Sequence, residues 1–191
     1  MTVRLYFEVD QGELIRAHEY CSNVEPPIEI DPAVWGHTFF EMPGFFEVDG
    51  VSLLSFAQPL FGTATGLEWT LRVVKHVGAW DFTSDGGGLF FQLDENVLSI
   101  LNPHLRSAVW APIGDVDEAS AKFSKSVRAF MLKEFPSLDE HRQIGWWFRG
   151  EPPPNDRFQR WLPEPWRVDE VRGRIRRLLN EIAAARDDLE K

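Results

Sequence analysis

Residues 67–113 read LEWTLRVVKHVGAWDFTSDGGGLFFQLDENVLSILNPHLRSAVWAPI, and the spacing of apolar residues in this stretch decides the fold class. Leu67, Trp69, Leu71 and Val73 alternate with Glu68, Thr70 and Arg72, the two-residue period of a half-buried strand. Trp80 and Phe82 repeat that period, as do Leu89, Phe91 and Leu93, then Val97, Ser99 and Leu101, then Val109, Ala111 and Ile113. Turn signals separate the runs: Val77-Gly78, Ser84-Asp85-Gly86-Gly87-Gly88, Asp94-Glu95-Asn96 and Asn102-Pro103. Connections this short join antiparallel neighbours, because a parallel crossover takes about a dozen residues or more. The spacing predicts an antiparallel β-meander of four or five strands.

Upstream, Val3, Leu5, Phe7 and Val9 alternate as a first strand, and Leu14, Ile15, His18 and Cys21 fit a short helix stopped before Pro26-Pro27. Residues 37–48 read as two extended apolar pieces broken at Pro43-Gly44, followed by a turn at Asp49-Gly50. Val51, Leu53, Leu54, Ala57 and Leu60 then predict a buried helix that ends near Gly62. Downstream, Asp115 and Glu118 resemble a capping box ahead of the helical stripe Ala119, Phe123, Val127, Phe130 and Met131, which Pro136 ends. Strands covered by helices at both ends make an α+β fold.

The organisation is a core domain over residues 1–150, then a Pro-rich connector and a C-terminal helix over 151–191. Five prolines fall between 151 and 165. Beyond them Val168, Val171, Ile175, Leu178, Ile182, Ala185 and Leu189 alternate three and four apart, a heptad seam. This seam is expected to lie along its own domain; association of two chains through residues 167–190 is the alternative.

The 191 residues carry a formal charge of −10. Its location matters more than its size: residues 1–150 hold 21 acids against 11 bases, residues 151–191 nine of each. In the first fifty residues ten acids, among them Glu25, Glu29, Asp31, Glu41, Glu47 and Asp49, face only Arg4 and Arg16. Such a surface repels nucleic-acid phosphate and anionic lipid and accelerates encounter with a basic partner. No stretch approaches the about 20 apolar residues of a membrane span, and the N-terminus lacks the pattern of a signal peptide. With a lone Cys21 the expected compartment is the cytoplasm.

Catalytic patterns are missing. Gly86-Gly87-Gly88 leads into a strand without a following Lys, so it reads as a hairpin turn and not a phosphate loop. One Cys and five scattered His do not make a zinc site, and no cofactor is expected. Glu140, His141 and Arg142 form the most enzyme-like stretch, a carboxylate beside a histidine with an anion-holding arginine, although neighbours on a helix point about 100° apart. Trp146, Trp147, Phe148 and Arg149 read either as an adhesive patch or as core. Arg167, Arg172, Arg174, Arg176 and Arg177 form a local basic cluster that is expected to pair with the acidic body and not with nucleic acid.

The run Phe39-Phe40-Glu41-Met42-Pro43-Gly44-Phe45-Phe46-Glu47-Val48, with the Leu-rich segment 51–61 and the Trp/Phe meander after it, resembles bacterial immunity proteins of polymorphic and contact-dependent toxins. The resemblance implies a non-enzymatic inhibitor that binds a cognate toxin one to one and covers a basic active-site cleft. The candidate contacts are Glu25, Glu29, Asp31, Glu41, Glu47 and Asp49, with Trp35, Trp146, Trp147 and Arg149 as anchors.

Overall fold

The computed structural model describes residues 1–22, 40–84, 87–153, 158 and 162–189. Among the described residues, two antiparallel sheets and five α-helices, with a 3-10 turn at Pro136–Glu140, make an α+β fold. The first sheet has the order β1 (Val3–Phe7), β2 (Glu41–Val48), β3 (Val51–Pro59). The second is the expected meander, β4 (Ala79–Ser84), β5 (Gly87–Asp94), β6 (Val97–Asn102) and β7 (Ser107–Pro112), four strands in chain order. The helices are α1 (Gln11–Ser22), α2 (Leu60–Val77), α3 (Ile113–Glu134), the single turn α4 (Gly145–Phe148) and α5 (Pro165–Leu189).

Two elements differ from the sequence expectation. Residues 51–59 are a strand and not a helix, because Asp49-Gly50 is a two-residue hairpin turn that pairs Val48 with Val51. Both turn residues have positive φ, 49° and 79°, the geometry that matches the twist of the flanking strands. Residues 67–73 are in turn helical and not a strand. Leu60, Ala64, Leu67, Leu71 and Val74 recur four and three apart and form the buried stripe of α2. Trp69, which suggested alternation, is half-buried on another side of the helix, edge-on to Phe158 at 5.1 Å.

Pro43 sits inside β2, the central strand of its sheet. Its carbonyl accepts from the amide of Glu8, just past the end of β1, so its missing N–H faces a place where β1 has already run out. The ladder to β3 is left intact. α1 starts at Asp10, whose Oδ1 accepts from the amides of Gly12 (2.8 Å) and Glu13 (3.1 Å). The expected capping box at Asp115 and Glu118 is absent. α3 begins earlier, after Pro112 and without a side-chain cap, and Glu118 instead pairs with Lys122 one turn on.

α2 lies between the sheets. Its Leu67, Leu71 and Val74 pack against Phe46, Val48 and Leu53 of the first sheet and Phe82, Leu89, Phe91, Leu98 and Ile100 of the second. A second cluster joins α1, α3 and α4 around Phe40, Phe123, Met131 and Trp147. The opposite face of the meander is covered by α5, where Val168, Val171, Ile175 and Leu178 bury Ala79 and Leu101. The seam therefore packs within its own chain through Leu178, while Ala183, Ala184 and Ala185 are exposed. The meander is consequently apolar on both faces. Among the described residues no helix is long and apolar enough to cross a membrane.

Candidate functional site

The outward face of the three-stranded sheet gathers acidic and aromatic side chains. Strand alternation sends Met42, Gly44, Phe46 and Val48 inward, so Glu41, Pro43, Phe45 and Glu47 share the outer side. Cross-strand register places Arg4 opposite Glu47 and Tyr6 opposite Phe45. The Tyr6 and Phe45 rings stack at 4.9 Å with 20° between planes. The Tyr6 hydroxyl donates to Glu47 Oε1 at 3.0 Å, which raises the phenol pKa, and Arg4 lies over the Tyr6 ring and 3.8 Å from Glu47 Oε2. Glu8 and Glu41 are exposed at one end of this face. At the other, Asp49 Oδ1 accepts from the Thr2 amide at 2.6 Å.

The structure thus brings Glu41, Glu47 and Asp49 onto one strand and its turn. Glu25, Glu29, Asp31 and Trp35 lie outside the described residues. Sequence reasoning missed the Tyr6 and Phe45 rings on this face; the signals for them are strand alternation from Val3 to Phe7 and from Glu41 to Glu47.

The proposed anchor Trp147 is a correction: it is 2% exposed and belongs to the core with Phe148. Its indole Nε1 donates to Glu68 Oε2 at 3.1 Å, Phe61 meets it edge-on at 5.1 Å, and the Arg128 guanidinium covers its ring. Trp146 is half-buried, with Nε1 donating to the Gln143 carbonyl at 2.8 Å. Arg149 is exposed and forms a two-pronged pair with Glu151 (2.8 and 2.7 Å), while its Nη1 donates to the Asp139 carbonyl. Glu151 is held below the ordinary carboxylate range by that pair.

His141 is 4% exposed, and its Nδ1 accepts from the amides of Gln143 (3.1 Å) and Ile144 (3.3 Å), bracing the turn into α4. Glu140 and Arg142 on either side are exposed. His18 donates to Glu134 and stacks on Phe135 at 4.7 Å, and Cys21 is buried, as a packed helix requires. No group of three metal-ligating side chains occurs among the described residues.

A concave feature of about 310 Å³ lies between β4 and the start of α5, lined by Trp80, Asp81, Trp166, Arg167, Glu170, Val171 and Arg174. Trp166 is 61% exposed with Arg167 over its ring. The arginines of α5 correct an expectation here: Arg172 pairs with Asp169 and Arg174 with Glu170 on their own helix, and Arg172 Nη2 donates to the Val77 carbonyl. Compared with known protein families, curated proteins and solved structures, the chain has no match.

Proposed function

We propose that this chain is an immunity-type inhibitor that binds a toxin with a basic active-site cleft and occludes it. The observation that supports the reading is the outer face of the first sheet, where Glu8, Glu41, Glu47 and Asp49 surround the stacked Tyr6–Phe45 pair. Carboxylates steer and orient a basic partner, and rigid aromatic rings supply buried contact area that slows its release. Glu8 and Glu41 are the exposed members, while Glu47 is already engaged by Tyr6 and Arg4. The first two carry the steering and the Tyr6–Phe45 pair carries the grip. Occlusion needs no turnover chemistry.

The test is binding and inhibition of the toxin encoded beside this gene, measured at several salt concentrations. Reversing Glu8 and Glu41 to Lys is expected to slow association about tenfold or more at low salt, with the difference shrinking as salt is added. No binding to the neighbouring toxin, or association indifferent to both reversals and to salt, rejects the reading. The competing enzymatic reading is separated by Glu140→Gln and Arg142→Ala, whose side chains are exposed; His141→Ala also removes a turn brace and so does not discriminate.

A further inference from the structure

We infer that β7 is the surface through which two copies of this chain associate, forming one continuous eight-stranded sheet. β7 is an edge strand of the meander. The amide of Ile113 donates to Asn96, a pair in register with Val97–Pro112. Alternation from that point turns the N–H and C=O groups of Val109 and Ala111 toward β6 and those of Ala108 and Trp110 outward. The outward amides of Ala108 and Trp110 have no hydrogen-bond partner among the described residues. An apolar edge with free backbone groups and no lysine is a template for another strand.

Side chains on this edge fit a second copy of themselves. Trp110 is 45% exposed on the α5 side of the sheet, and Val97, also 45% exposed, shares that side with the exposed Pro112. A two-fold axis at Val109 pairs Ala108 of each copy with Trp110 of the other, which satisfies all four outward amides. Each indole then covers the other copy's small Ala108 side chain, and the two Val109 side chains meet on the inner side. Charge agrees with the antiparallel direction. Arg106 is exposed just before β7, and the β5–β6 turn with the exposed Asp94 and Glu95 stands level with Pro112 at the other end of the sheet, so the two-fold turns each copy's Arg106 toward the acidic end of the other. The two-fold pairing uses the β7 edge of both copies, so it closes at two copies.

Sedimentation equilibrium of the full chain tests this. The expected result is a species of twice the 22.0 kDa chain mass in the micromolar range. Ala108→Pro removes an outward N–H and leaves the β6 ladder whole, and Trp110→Asp places a charge on the exposed side; each is expected to give a monomer with unchanged circular dichroism. Arg106→Glu is expected to weaken the dimer. A wild-type monomer throughout that range overturns the inference, and so does a dimer that persists in both folded β7 variants.

Discussion

The side chain of Asn102 joins the two sheets: its Nδ2 donates to the carbonyl of Leu53 at 2.5 Å, linking the end of β6 to β3. Its Oδ1 faces the other way and accepts from the amides of His104 (2.8 Å) and Leu105 (2.9 Å), shaping the turn into β7. At 3% exposure this amide has no water to fall back on. Asn102→Leu leaves one buried carbonyl and two turn amides without partners, so the expected loss is about 3 kcal/mol of unfolding free energy in a denaturant titration. Asn102→Asp keeps the turn contacts but sets a carboxylate oxygen against the buried Leu53 carbonyl, so it is expected to cost at least as much as Leu at neutral pH.

Two glycines give opposite outcomes. A Cβ at Gly145 falls on the Asp139 carbonyl oxygen and close to Arg149 Nη1, and that carbonyl is backbone that cannot rotate away. Gly145→Ala is expected to cost about 3 kcal/mol. Gly114, in the first turn of α3, has open space around it, so Gly114→Ala is expected to gain about 0.5–1 kcal/mol. Thermal melts of the two variants measure both.

Acid sensitivity is expected at Glu134. The hydrogen bond from His18 Nε2 at 3.0 Å, aided by Lys133, holds its carboxyl below the ordinary range. A carboxyl that is a stronger acid when folded contributes stability in full above its unfolded value, about 4.3, and loses it as the pH falls through the lower folded value. The contribution is under about 1 kcal/mol because the His18 ring is half exposed. The stability gap between wild type and Glu134→Gln is expected to close between pH 7 and pH 3; a gap that is constant across this range contradicts the assignment.

Cys21 is expected to be inert. Burial pushes its thiol up to about 11, so at neutral pH the folded chain presents about a hundredfold less thiolate than free cysteine. Reaction with a disulfide reagent is expected to be slow in the native protein and fast in denaturant.

The meander from Trp80 to Pro112 was legible because apolar residues recur at every second position along each run and each turn carries its own chemistry. Residues 51–73 were not. An apolar strand and an apolar helix look alike over nine residues, and the signal that separates them is the Asp49-Gly50 hairpin turn. Reading it as a hairpin forces β3 to pair with β2 and hands the helical period to residues 60–77. The misplaced anchor has a different cause. Nothing local distinguishes a tryptophan that greets a partner from one that, like Trp147, closes the core against Phe61, since burial depends on elements more than eighty residues away. The acidic–aromatic face needed only the strand assignment of β2; once Glu41 and Glu47 lie on one side, Phe45 must lie between them.

That α5 roofs the far side of the meander has a consequence for how the chain is made. The meander is complete at Pro112, whereas its roof starts only at Pro165. During synthesis Ala79, Phe90, Leu101 and Ala108 therefore stay naked while more than fifty further residues are threaded out, a window in which that surface is open to aggregation. Cutting the chain after residue 150 would freeze it in this half-dressed condition. Such a fragment is expected to clump, and its clumping would report a missing roof, not a lost contact between mature molecules.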